Sequence, residues 1–351
     1  MGCQELLQSR KLPEVWPCGD WESRRQEIRE LLQREVYGFL PEEPEKIWFE
    51  ELPGQWADTV FCAGKAPLKQ IRIHVVLRGR AFSFPITAVI PKNRKNLPFF
   101  VSINFRDAVP DKAMPSEELV DNGFAVFSFC YKDVTSDDGD FENGLAALLG
   151  PRQEGSCGKI GLWAWAASRV MDYCRTLDCL DFEKAAVAGH SRLGKTALVA
   201  GMMDERFRYV FSNDSGCAGA ALFRDKVGET VKNIWQNFPY WFTPGFARYV
   251  DREAAMPFDQ HFLLAASAPR FVYVASAQED QWADPESEYL SCVAASPVWE
   301  KLGMTGFVHP DRLPYAGEVF GLGTVGYHMR QGCHFFSRED WNRYCAFVLA
   351  K

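Results

Sequence analysis

The sequence predicts an α/β fold: a three-layer sandwich whose mostly parallel central sheet is covered by helices on both faces and begins with an antiparallel N-terminal portion. Three observations carry this. Short apolar, β-rich runs recur at 99–105 (FFVSINF), 124–130 (FAVFSFC) and 185–189 (AAVAG), and uninterrupted apolar strands suit a sheet buried on both faces. Helix-period segments lie between them, a short SEELVDNG and a long one at 159–177 with Trp163, Ala166, Val170, Cys174 and Leu177 on one face, which is the alternation of βαβ units. Ahead of these, 70–78 (QIRIHVVLR) and 83–90 (SFPITAVI) alternate or run apolar like two paired strands.

The remaining elements follow in chain order. Residues 20–37 carry Ile28, Leu31, Leu32, Val36 and Tyr37 at helical spacing with charge opposite, an amphipathic opening helix. The Pro-rich stretch 41–54 breaks it. Beyond the 185–189 strand come YVFSN at 209–213, FVYVAS at 271–276 and VGYHM at 325–329, the last two bracketing a helix at 285–295, with long loops at 214–258 and 296–324. There is no linker, repeat or low-complexity segment. The expected division is an N-terminal helical or irregular extension, 1–60, packed on the core, and one main α/β domain, 61–351.

Composition narrows the function. A net charge of −7 offers no basic face to a phosphate backbone or an anionic membrane, so no nucleic-acid or membrane partner is expected. The N-terminus has no apolar run like a signal-peptide core, and Met1-Gly2-Cys3 lacks the Ser or Thr that a myristoylation site places at residue 6, where Leu6 stands. Eleven scattered cysteines without a CxxC argue against a metal site and for a reducing compartment. The expected location is cytoplasmic, the alternative being secretion with the signal removed.

The chemistry concentrates in KAAVAGHSRLGKTALVAG, which puts Ser191 between a buried strand and a helix. That turn is where α/β-hydrolases expose a serine nucleophile, with Gly189 permitting the bend and the first N–H groups of the helix facing a developing oxyanion. A serine before a helix is in isolation more often a plain N-cap. The usual elbow is G-x-S-x-G, whereas here the second glycine arrives one residue late, at Gly194. Serine catalysis also needs a base and an orienting acid, in chain order Ser, Asp/Glu, His.

Both are available at strand ends. Of six histidines, His74, His261 and His328 lie in predicted strands or a helix, His190 adjoins the serine and is expected to point away from it, and His309 is a loop residue with no evident partner. His334, in the loop after the last strand, can swing over the nucleophile. Asp280 follows the FVYVAS strand, and Asp214 follows YVFSN.

With these residues the chain resembles the glucuronoyl esterases, carbohydrate esterases of α/β-hydrolase fold. Their Gly-x-Ser-Arg-x-Gly-Lys signature is matched by Gly189, Ser191, Arg192, Gly194 and Lys195, and SNDSG at 212–216, Gly-Glu-Thr at 228–230, MPFDQH at 256–261, EDQWADP at 279–285 and Gly-x-His at 332–334 extend the likeness over about 85–345. The resemblance implies Ser191 as nucleophile, His334 as general base and then acid, and Arg192 as oxyanion stabiliser. It implies Lys195, Glu229 and Trp282 as sugar-binding residues, and no metal or organic cofactor. It allows the acid at either of two places; Asp280 is preferred, because Asp214 is shorter than the Glu the family often has there.

The function implied is hydrolysis of esters of (4-O-methyl-)glucuronic acid, as in lignin–carbohydrate linkages or small uronate esters. Two alternatives stand beside it: an acetyl xylan esterase or general carboxylesterase on the same fold, and a non-catalytic carbohydrate-binding relative. A neutral acyl group would not need the Arg192–Lys195 pair. Oligomeric state is not encoded in any feature of the sequence.

Overall fold

A computed structural model describes residues 2–53 and 60–351; the first residue of Met1-Gly2-Cys3 and the last of the 41–54 stretch lie outside the described residues. Ten strands form one sheet: β1 (Lys46–Glu51), β2 (Leu68–Leu77), β3 (Arg80–Val89), β4 (Leu97–Asn104), β5 (Ala125–Cys130), β6 (Leu180–His190), β7 (Tyr209–Asn213), β8 (Phe271–Ala277), β9 (Val319–Phe320) and β10 (Val325–Arg330). Their order is β1-β2-β3-β5-β4-β6-β7-β8-β10-β9. Pairing is antiparallel from β1 through β3 to β5 and parallel from β5 to β10, and β9 returns antiparallel at the far edge. This is the α/β-hydrolase fold with the antiparallel start read from the sequence.

Period-two alternation splits each central strand between two cores. Phe99, Val101, Ile103, Ala185, Val187 and Val210 face the larger one. Phe100, Ala186, Ala188, Tyr209 and Phe211 face the smaller. The larger core is closed by α5 (Lys159–Cys174), α6 (Arg192–Met203), α8 (His261–Ala265) and α9 (Pro285–Lys301), the smaller by α3 (Ser116–Asp121) and α10 (Arg338–Leu349). Near the start, α1 (Cys3–Arg10) and α2 (Trp21–Leu32) attach from the side: Arg10 donates to Ser287 Oγ at 2.8 Å, and Arg25 pairs with Glu205 at 2.8 Å. Two short helices, α4 (Tyr131–Val134) and α7 (Val231–Asn237), sit in loops beside the sheet's C-terminal ends.

Several expectations change. The 41–54 stretch contains β1, because prolines at 41, 44 and 53 flank KIWFEE without interrupting it and Ile47 and Phe49 turn inward; an edge strand tolerates such neighbours. The helix placed at 285–295 runs on to Lys301 through Pro297. The helices α1 and α10 were not foreseen from hydrophobic spacing. Among the described residues no helix is long and apolar enough to cross a membrane, and all eleven cysteines are free.

Candidate active site

Parallel strands bring their C-terminal ends to one edge of the sheet, where α/β folds gather ligands. Ser191 follows β6, Asp214 follows β7, Asp280 lies three residues past β8 and His334 four past β10. Ser191 has φ 58° and ψ −128°. That conformation is costly for any L-residue, and it lifts the side chain out of the strand's alternation at the start of α6. Its neighbours hold it there: Ser191 N–H donates to Asn213 O at 2.9 Å, and Ser191 O accepts from Gly194 N–H at 2.9 Å and Lys195 N–H at 3.1 Å. The tightness explains Gly189, where a Cβ would lie 2.1 Å from Leu193 O.

Ser191, Arg192, Lys195, Asp214, Glu229, Asp280, Trp282 and His334 all line one cavity of about 340 Å³. Every site residue singled out in the sequence is thus brought together. Two larger cavities, of about 450 and 530 Å³, are lined by no histidine. The Ser191 hydroxyl makes no hydrogen bond with the described residues, a common state of a nucleophile before substrate arrives.

The two candidate acids are separated by geometry. His334 Nδ1 donates to Asp280 Oδ2 at 2.6 Å. Burial would raise the Asp280 pKa, but the bond from His334 and its charge outweigh it, and the carboxyl lies below its ordinary value. Asp214 instead accepts from Ala277 N–H at 2.7 Å and from Arg330 at 3.1 Å. Burial and the nearby Glu288 push Asp214 well above the ordinary carboxylate range, against the opposing pull of Arg330.

His190, set aside in the sequence as pointing away, packs its ring 4.4 Å from that of His334 and donates to Asn213 Oδ1 at 2.6 Å. Burial, then repulsion from His334, holds its pKa down to about 3, so it stays a neutral wall beside His334. Ring nitrogens of His190 and His334 and an oxygen of Asp214 lie within 4.8 Å of one another, the spacing of a metal triad. These groups are already engaged by Asn213, Asp280 and Arg330.

Two fixed cations border the serine. Arg192 pairs with Asp137, and its guanidinium lies 4.7 Å from the Trp241 ring. Lys195 is buried, donates to Ser215 O at 2.5 Å and lies 3.9 Å from Glu229 Oε2; burial lowers its pKa, with Glu229 opposing. Glu229 N–H donates to Trp282 O at 2.9 Å, so the 228–229 turn is laced to the loop bearing Trp282. Gly228, at φ 68°, is what lets these backbones meet, since a Cβ there would lie 2.3 Å from Gln281 O. Trp282 itself is 55% exposed, an open aromatic face at the mouth. Beneath the floor, Glu288 accepts from Gly216 N–H and Ser276 Oγ, and burial lifts its pKa to about 7.

Sequence reading did not single out Phe238, Trp241, Ser215 or Asp137, although all four line or brace the site. The aromatic density of FPYWF at 238–242 was a usable signal, and Asp137 sits in an acidic loop just past a strand end.

A serine on a strained turn at the end of a central strand, sharing one cavity with a histidine held by a carboxylate, defines a carboxylic-ester hydrolase of α/β-hydrolase fold. A family profile described as "Glucuronyl esterase, fungi" matches residues 73–303. Carbohydrate esterase MZ0003, from an unknown prokaryotic organism, is 33% identical over 93% of this chain and 84% of its own. The 4-O-methyl-glucuronoyl methylesterase of Podospora anserina is 28% identical over 94% of this chain, which spans 63% of that protein. The structure of the glucuronoyl esterase from Solibacter usitatus superposes with a TM-score of 0.85 at 31% identity, covering 97% of both chains. The chain belongs to the glucuronoyl esterase family.

Proposed function

We propose that the protein hydrolyses esters joining the carboxyl group of glucuronic acid, or its 4-O-methyl ether, to an alcohol. The observation that carries this is the single cavity in which Ser191 and the His334–Asp280 pair stand beside Arg192 and Lys195. Ser191 Oγ attacks the ester carbonyl as His334 takes its proton. Asp280 holds the imidazole in the tautomer with Nε2 free and stabilises the imidazolium that forms. Negative charge on the carbonyl oxygen meets the first N–H groups of α6 and the Arg192 guanidinium, a charged donor worth more than a neutral one. His334 then gives its proton to the departing alcohol, and water resolves the acyl-enzyme by the same steps in reverse. Lys195 and Glu229 are suited to bind sugar hydroxyls and Trp282 to carry the ring. The name of the Podospora relative supports the 4-O-methyl form.

The test is a panel of methyl glucuronate, benzyl glucuronate and acetyl esters of xylose at equal concentration. The uronate esters are expected to turn over at least about tenfold faster in kcat/KM, a difference of ~1.4 kcal/mol. Hydrolysis of the acetyl esters alone would overturn the substrate assignment and favour a general carboxylesterase. We also infer a reducing compartment, supported by eleven free cysteines of which Cys18 and Cys333 are exposed. Fractionation is expected to find the protein in the cytosolic pool, and recovery outside the cell would refute it.

A further inference from the structure

Arg192 is not free to move. Asp137 accepts from Arg192 Nη1, from Tyr131 OH at 2.9 Å and from Trp241 Nε1 at 2.7 Å. The carboxylate is nearly buried, at 6% side-chain exposure. Aromatic rings fix the other side of the guanidinium, Trp241 at 4.7 Å, Phe238 at 5.4 Å and Phe105 at 5.8 Å. Of the three guanidinium nitrogens only Nη1 makes a hydrogen bond among the described residues, and Nε is buried without an acceptor.

The loop that carries Asp137 is itself anchored. Lys159, fully buried, donates to Thr135 Oγ1 at 2.8 Å and to Asp140 O at 2.5 Å, on either side of Asp137. Tyr240 OH donates to Asp137 O at 3.2 Å from the opposite wall. Asp137 therefore has a position set by its surroundings before it meets Arg192, and the pairing is not the chance contact of two surface chains.

A carboxylate so close to an oxyanion-stabilising cation weakens the positive field that the oxyanion feels. The arrangement makes sense if placement outweighs that loss. A lone arginine on a flexible stem loses rotamer freedom when it is finally held. Here Asp137 and Trp241 fix it in advance, and Tyr131 and Trp241 donate to the same carboxylate and draw off part of its charge. Preorganised donors stabilise a transition state because they need not reorient when charge appears.

We propose that Asp137 is a positioning residue that holds the Arg192 guanidinium ready for the oxyanion, leaving Nη2, which is neither buried nor hydrogen-bonded among the described residues, as the donor awaiting it. The proposal rests on the ester-hydrolase reading above but not on the uronate substrate, since any ester passes through the same oxyanion.

The experiment measures kcat and KM of Asp137→Asn, Arg192→Met and the double variant on methyl glucuronate and on p-nitrophenyl acetate. Asp137→Asn is expected to lower kcat roughly 10- to 100-fold, short of the ~10²–10³ lost with a whole oxyanion donor, with KM nearly unchanged. In the Arg192→Met background the same change should cost less than about threefold, because the group it positions is gone. Losses that multiply in the double variant, or a single variant within about twofold of wild type, would overturn the proposal. Should Asp137→Asn fail to fold, Tyr131→Phe carries the same test by removing one donor to the carboxylate: a fall in kcat that vanishes without Arg192 supports positioning, and one that persists refutes it. A wild type inactive on the uronate ester but active on the acetate would sink the substrate reading alone.

Discussion

Ser191→Ala is expected to lower kcat on benzyl glucuronate by about 10⁴-fold or more, with KM changed only slightly. The hydroxyl is the bond-forming atom of the proposed reaction, and the other serine that lines the cavity, Ser215, donates its hydroxyl to Glu288 Oε1 at 3.2 Å. Stability should hardly move. The Ser191 side chain makes no hydrogen bond with the described residues, so its removal orphans nothing, while the backbone bonds to Asn213, Gly194 and Lys195 do not depend on it. Alanine also suffers at φ 58° about as serine does. A serine-directed phosphonate should label the wild type and not the variant. Retention of more than about a hundredth of kcat by a correctly folded variant would remove Ser191 from the mechanism.

What the sequence revealed and what it hid divide along a physical line. The central strands were legible because burial on both faces demands continuous apolar runs, as in FFVSINF and FAVFSFC. The Ser191 turn was legible because the constraint is local: a glycine where Leu193 O approaches, a serine, then a helix. The edge strand β1 hid because only Ile47 and Phe49 turn inward and prolines surround it. That His190 would pack against His334 was hidden, because His334 arrives from a loop far along the chain. Nor does any local pattern encode that Asp137 will meet Arg192, 55 residues later, since that contact depends on how two loops settle over the sheet. The choice between Asp214 and Asp280 was hidden for the same reason: both follow strand ends, and only the backbone decides where each carboxylate points. Asp214 has φ 43°, and its carboxylate is spent on Ala277 N–H and Arg330.

That choice sets the last expectation. Asp280→Asn should lower kcat by roughly 10²–10⁴-fold, because an amide can present the wrong dipole to His334 Nδ1 and cannot stabilise the imidazolium. Asp214→Asn should leave kcat within about fivefold, the smaller effect of a group that touches neither serine nor base. Surroundings that push two neighbouring carboxyls in opposite directions commonly divide their roles. Here Asp280 is held below its ordinary value, and so stays charged, whereas burial and Glu288 raise Asp214. The two variants also differ in how stability depends on pH. With its folded pKa lowered, Asp280 contributes stability at neutral pH that is lost as pH falls through the folded value; Asp280→Asn should therefore lose most relative to wild type near neutrality and little in acid. Asp214, with its folded pKa raised, binds more protons folded than unfolded, so its contribution falls as pH rises from the ordinary carboxylate range through the raised value. An asparagine does not titrate, and Asp214→Asn should gain on the wild type across that window. Melting temperatures of the three proteins across a pH series, alongside kcat, measure both effects. A collapse of kcat in Asp214→Asn with Asp280→Asn spared would reverse the assignment, and would require His334 to leave the 2.6 Å bond it makes with Asp280.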